Sequence, residues 1–122
     1  DAALPLPERY EIPAACVEAI ARTRARAGRV IAIGTTVVRA LESAALGGEL
    51  RPGAGVAELV IDADHRPRVV DGLLTGMHGP GESHHRLLQA FADAPLLAAA
   101  WQHALRAGYR SHEFGDAALL LP

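Results

Sequence analysis

Between Arg29 and Glu42 the chain reads Arg-Val-Ile-Ala-Ile-Gly-Thr-Thr-Val-Val-Arg-Ala-Leu-Glu, and its hydrophobic period changes in the middle. Val30, Ile31 and Ile33 form a short β-branched run of the kind that fills a buried strand. Val37, Val38, Leu41 and Ala45 then recur at helical spacing. A strand feeding a helix across Gly34-Thr35-Thr36 is the building unit of α/β domains. Gly34 lets the chain turn, and Thr35 or Thr36 is placed to cap the helix and leave its first N–H groups facing outward for an anion. An ordinary structural turn fits the same residues. The junction lacks the extra glycines of a dinucleotide fingerprint and the Lys of a phosphate loop.

The rest of the chain supports the same class. Pro13 suits the first turn of a helix with Cys16, Val17, Ile20 and Thr23 on its apolar face, ending at Gly28, with Arg22, Arg24 and Arg26 on the solvated side. Glycines and Pro52 mark a long loop before a second strand over Val56 to Ile61. After a polar turn, Arg68 to Thr75 reads as a third strand, and the two are spaced to form a hairpin. Gly76 to Gly81 breaks both periods and is a loop. Glu82 to Ala92 and Leu96 to Leu105 return to helical spacing, and Ala117 to Leu121 is a short terminal strand. The expected architecture is α/β, a mixed β-sheet flanked by helices. Residues 13–122 form one domain, and residues 1–12, with Leu4-Pro5-Leu6-Pro7, form an extended arm or linker.

At 122 residues, half of them hydrophobic, the chain is long enough for one buried core. No apolar stretch approaches the roughly 20 residues of a membrane span, and no signal peptide is visible. The single cysteine, Cys16, excludes a disulfide framework within the chain and fits a cytoplasmic setting. All twelve basic residues are Arg, and the formal net charge is -2. A domain holding nucleic acid unaided usually carries a basic face, so any such partner draws on other surfaces.

Three polar clusters flank the expected strands: Gly34 to Glu42, Asp71 to His85, and Tyr109 to Asp116. Together they are positioned to line one pocket. Arg39 and Glu42 have the spacing of a pair on one helix face, and the planar fork of Arg39 equally suits a ligand carboxylate. His78, in the glycine-rich loop, is the candidate acid or base, because imidazole titrates near neutrality. A metal reading is disfavoured. No His-x-x-x-His or His-Glu-x-x-His spacing occurs, and adjacent His84 and His85 would point about 100° apart on a helix. Asp116 stands directly before the last strand, open to either a capping or a catalytic role.

In this order and spacing the clusters resemble the S-adenosylmethionine:tRNA ribosyltransferase-isomerase family of queuosine biosynthesis, in its C-terminal part. Gly34-Thr35-Thr36-Val37-Val38-Arg39-Ala40-Leu41-Glu42 is similar to the family's Gly-Thr-Thr-Ser-Val-Arg-Thr-Leu-Glu. Asp71-Gly72-Leu73-Leu74-Thr75, followed by His78 and Pro80, is similar to Asp-Gly-Leu-Leu-Thr-Asn-Phe-His-Leu-Pro. Tyr109-Arg110 with Phe114-Gly115-Asp116-Ala117 is similar to Tyr-Arg-Phe-Phe-Ser-Tyr-Gly-Asp-Ala. The resemblance implies the C-terminal part of a larger two-domain enzyme, with further N-terminal sequence and an inserted β-barrel as partners in the same polypeptide. It implies S-adenosylmethionine as a ribosyl donor, tRNA as the acceptor, and no metal. Gly34, Thr35, Thr36, Arg39, Glu42 and Thr75 would hold the donor, and His78, Asp71 and Asp116 would position groups and move protons. One departure stands out: Gly81-Glu82-Ser83-His84-His85-Arg86 replaces the family's Lys-Ser-Thr-Leu-Leu-Met. A cation is lost and an anion gained where phosphate contacts matter. A paralogue with a non-tRNA acceptor and a noncatalytic ligand-binding module are the rival readings.

Overall fold

Strand β2 (Ile31–Ile33) runs into helix α2 (Thr35–Ala44) through Gly34, as the change of period requires. Gly34 is itself the N-cap, at φ 95°, a backbone region that L side chains rarely enter. Neither Thr35 nor Thr36 caps the helix, contrary to expectation: no side chain bonds that terminus. The Gly34 N–H donates to the Leu74 carbonyl at 2.8 Å instead, which continues the strand ladder into the turn.

The computed structural model describes residues 6–77, 83–110 and 115–122. Around β2 and α2 it places β1 (Glu8–Ile12), α1 (Ala14–Ala25), β3 (Gly53–Ala57), β4 (Gly72–Gly76), α3 (Ser83–Leu88), α4 (Ala94–Ala107) and β5 (Ala117–Leu120). β4 is central in a three-stranded sheet, parallel to β2 and antiparallel to β5. β1 and β3 form a separate antiparallel pair. The mixed sheet flanked by helices is therefore present, with a two-stranded ribbon beside it.

One face of the three-stranded sheet is covered. Ala32 and Leu73 are buried there with Val38 and Leu41 of α2, Leu87 and Leu88 of α3, Phe91, and Leu97 of α4. Strand alternation sends the neighbouring residues to the other side. Ile31 and Ile33, expected to be buried, are 39% and 71% exposed, and Ala32 between them takes the core position.

Three further expectations change. The arm over residues 1–12 is extended over Glu8–Ile12, but as a hydrogen-bonded strand rather than a free linker. The second and third strands do not make a hairpin, since β3 pairs with β1 and β4 pairs with β2 and β5. The amides of Val69 and Val70, needed for such a ladder, donate to the Glu42 carboxylate. Arg24, expected on a solvated face, donates to the carbonyls of Arg68 (3.0 Å) and Val69. The helix expected over Leu96 to Leu105 is present as α4: Asp93 caps it through the Leu96 N–H at 2.8 Å, and Gly108 closes it in the left-handed conformation at φ 84°.

Gly72 is where β4 meets both neighbours. An added Cβ would lie 3.0 Å from the Leu120 carbonyl oxygen and 2.8 Å from methyl groups of Ile31 and Leu121. A backbone atom of β5 cannot move aside without loosening the ladder. Gly72→Ala is expected to destabilise the fold by about 2 kcal/mol, read as a lowered midpoint in urea unfolding.

Candidate functional site

Because β2 and β4 are parallel, their carboxyl ends share one edge of the sheet. Gly34, Thr35 and Thr36 follow β2 there, and Thr75, Gly76 and Met77 end β4. The antiparallel β5 brings its preceding residue to the same edge, where the Asp116 carbonyl accepts the Met77 N–H at 3.2 Å. The Asp116 carboxylate accepts the Arg110 N–H at 2.7 Å and so holds the entry to β5. Ligands of open α/β sheets bind outside this carboxyl edge. Thr35 and Thr75 are buried beneath it, and Thr36 is exposed on it.

Asp71 does not join this group. It precedes β4, at the opposite end of the strand and about 13 Å along it from Thr75 at a strand's rise per residue. Its carboxylate accepts the Val30 N–H at 2.8 Å, and its own N–H donates to the Val30 carbonyl at 2.8 Å. Of the second cluster, it is therefore Thr75 and not Asp71 that reaches the edge shared with Gly34 and Asp116. His78, with Gly79 to Glu82 and Ser111 to Phe114, lies outside the described residues.

Arg39 and Glu42 are both buried and do not pair with each other. The Arg39 guanidinium donates to the carbonyls of Leu6 (2.9 Å), Ala57 (3.0 Å) and Leu59 (3.4 Å). It also meets the Glu8 carboxylate at 2.6 Å, and the other oxygen of Glu8 accepts from the Thr36 hydroxyl at 3.3 Å. All three of its nitrogens are thereby engaged by the chain itself. Glu42 accepts from the amides of Arg68 (2.8 Å), Val69 (2.8 Å) and Val70 (3.0 Å) and contacts the His65 ring nitrogen at 2.9 Å. Burial acts to raise its carboxyl, but the hydrogen bonds from Arg68, His65, Val70 and Val69 outweigh it and hold the group below its ordinary value.

Sequence reasoning missed Glu8 and His65, the partners of these two residues. Glu8 sits in Glu-Arg-Tyr-Glu-Ile, whose alternation is a weak strand signal beside the proline-rich run. His65 lies 23 residues from Glu42, and no local spacing announces the pair. Among the described residues no group of three or more His, Cys, Asp or Glu is arranged to hold a metal.

A family model described as "Queuosine biosynthesis protein" matches residues 4–120. The S-adenosylmethionine:tRNA ribosyltransferase-isomerase of Synechococcus elongatus is 46% identical over 115 residues, covering 94% of this chain and 32% of the relative. The enzyme of the same name from Acidithiobacillus ferrooxidans is 47% identical over 115 residues, covering 94% and 33%. The crystal structure of S-adenosylmethionine tRNA ribosyltransferase from Thermotoga maritima superposes with a TM-score of 0.87 at 35% identity, covering 93% of this chain and 40% of that one. The chain spans about a third of the length of these curated relatives.

Three outcomes follow from the buried charges. Lys at position 39 offers one compact ammonium in place of a fork spread over four acceptors, so Arg39→Lys is expected to cost about 2 kcal/mol in denaturant melts. Glu42→Ala strands three backbone N–H groups and is expected to cost at least about 3 kcal/mol. The folded carboxyl of Glu42 titrates below the roughly 4.3 of an unfolded glutamate, so its contribution is complete above that value and is lost as pH falls toward the folded value. Urea melts from pH 7 downward should therefore show a shallower acid loss for Glu42→Gln than for the parent.

Proposed function

The chain belongs to the queuosine biosynthesis protein family, and we propose that it supplies the C-terminal part of an S-adenosylmethionine:tRNA ribosyltransferase-isomerase. The family match over nearly the whole chain carries this reading. In it, the ribosyl group of S-adenosylmethionine passes to the aminomethyl group of 7-aminomethyl-7-deazaguanine in tRNA, giving epoxyqueuosine, while adenine and methionine leave. The setting is the cytoplasm. Among the described residues no helix is long and apolar enough to cross a membrane.

Such a reaction requires a proton removed beside the sulfonium, a proton delivered to the departing adenine, and a hold on the methionyl carboxylate and amine. On this reading the carboxyl edge of the sheet is the reacting side. Gly34, Thr35 and Thr36 with Thr75 form its floor, Asp116 stands at its rim, and the proton transfers are assigned to Asp116 and His78. Arg39 and Glu42 act by fixing α2, and through it the Gly34 turn, rather than by gripping the donor: their polar atoms are already bonded to the chain. Asp71 holds β2 and β4 together at the far end. With a formal net charge of -2, the chain draws the phosphate contacts for tRNA from the remainder of the enzyme.

The departures at Gly81, Glu82 and His84-His85 favour a second reading, in which the same donor chemistry serves a non-tRNA acceptor. One assay separates the two. The native gene product is incubated with S-adenosylmethionine and tRNA carrying 7-aminomethyl-7-deazaguanine, and adenine and methionine are quantified. Equimolar release that depends on that tRNA is expected, with Asp116→Asn slowing it by about 100-fold. Release with another acceptor alone would transfer the case to the second reading, and an unslowed Asp116→Asn would remove that residue from proton transfer.

A further inference from the structure

The carboxylate of Glu8 stands beside the first turn of α2, and only one of its oxygens is committed to the fold. Its Oε1 meets the Arg39 guanidinium at 2.6 Å, as one of the four acceptors that hold that cation. Among the described residues its Oε2 has only the Thr36 hydroxyl, at 3.3 Å. Well-formed O–H···O bonds run from about 2.5 to 3.0 Å, so this contact is weak and leaves lone pairs to spare. The Glu8 side chain is 41% exposed and Thr36 is exposed, so a solute can reach that oxygen. Its placement follows from strand pairing. Glu8 opens β1 opposite Ala57 of β3, so the ribbon and not the three-stranded sheet delivers it. Thr36 and Arg39, three positions apart on one face of α2, receive it directly after the Gly34 turn.

That carboxylate decides what the turn can hold. An anion approaching Thr36 would set its lone pairs against those of Glu8. Arg39, only 5% exposed and with every nitrogen engaged, offers such an anion no donor. A cation gains little there, because Arg39 already balances the carboxylate at contact distance. A neutral hydroxyl meets neither objection, since a fixed carboxylate oxygen is a strong acceptor for it. Acids of doubly wound sheets take sugar hydroxyls in the same manner. The chemistry of the Gly34 turn is therefore that of an acceptor for hydroxyl groups, and not that of an anion cradle.

We propose that Glu8 is a specificity-determining residue of this edge, its Oε2 accepting a hydroxyl of the ligand's ribosyl group. The inference rests on the function proposed above, in which S-adenosylmethionine brings that group to the carboxyl edge. A cycle between one side chain and one ligand hydroxyl tests it. The complete native gene product is titrated calorimetrically, without tRNA, with S-adenosylmethionine and with its 2′-deoxy and 3′-deoxy analogues. The parent should bind at least one analogue about tenfold more weakly than S-adenosylmethionine, the share of one hydrogen bond to a charged group. Glu8→Gln keeps the shape and an oxygen for Arg39 but turns an amide N–H group toward Thr36. It should bind S-adenosylmethionine about tenfold more weakly and that analogue as the parent does, so that discrimination vanishes. A purely structural Glu8 would weaken all three ligands alike and keep the parent's discrimination, and that result overturns the proposal. So does a parent that binds the three equally, or binds none. Should the Gln chain lose its far-UV circular dichroism, Glu8→Asp, which keeps the charge but withdraws the oxygen by one methylene, is expected to show the same loss of discrimination. Loss of discrimination without adenine release in the enzyme assay sinks ribosyl transfer and keeps the Glu8 contact. Adenine release with discrimination intact in Glu8→Gln does the reverse.

Discussion

The carboxylate of Glu42 is almost wholly withdrawn from water and accepts three backbone N–H groups of the segment from Arg68 to Val70, with the His65 ring as a fourth contact. A buried ion loses several kcal/mol of hydration, so the site persists because each charge-assisted bond returns roughly 1.5 to 3 kcal/mol. The consequence is topological. Those amides are taken out of any strand ladder, so the chain between β3 and β4 crosses as irregular structure. β4 then begins at Gly72, in register with β2.

Arg39 performs the complementary task one helical turn earlier. It ties α2 to the β1–β3 ribbon through carbonyls of Leu6, Ala57 and Leu59 and through Glu8. Helix α2 is thus held by a buried cation and a buried anion reaching different parts of the chain, with Val38 and Leu41 packed on the sheet between them. The Gly34 turn at its N-terminus inherits that rigidity. Positioning residues of this kind look like ligand-binding residues in a motif, because both uses demand the same side chain at the same place.

What was legible in advance was local. The strand-to-helix switch at Gly34, the helix opened by Pro13, the helix over Leu96 to Leu105 and the short final strand all depend on residues within a few positions of one another. What was not legible was long-range pairing. A strand at Glu8–Ile12 becomes evident once β3 lies against it, because an alternating five-residue run has little signal of its own. The hairpin between the second and third expected strands failed for the same reason: its competitor was a carboxylate 26 to 28 residues away.

The amino-acid sequence by itself determined the class of the domain, the junction at Gly34 and the membership of the family, because periodicity, caps and ordered motifs are properties of neighbours along the chain. The tertiary structure decided which motif residues meet. Parallel pairing of β2 with β4, with β5 antiparallel beside β4, gathers Gly34, Thr35, Thr36, Thr75 and Asp116 at the carboxyl edge, and it sends Asp71 to the other end. Burial decided that Arg39 and Glu42 bond to the chain, since a charge in a low-dielectric interior must be met where it stands. Neither outcome follows from spacing, because each depends on groups brought together only when the whole chain has folded.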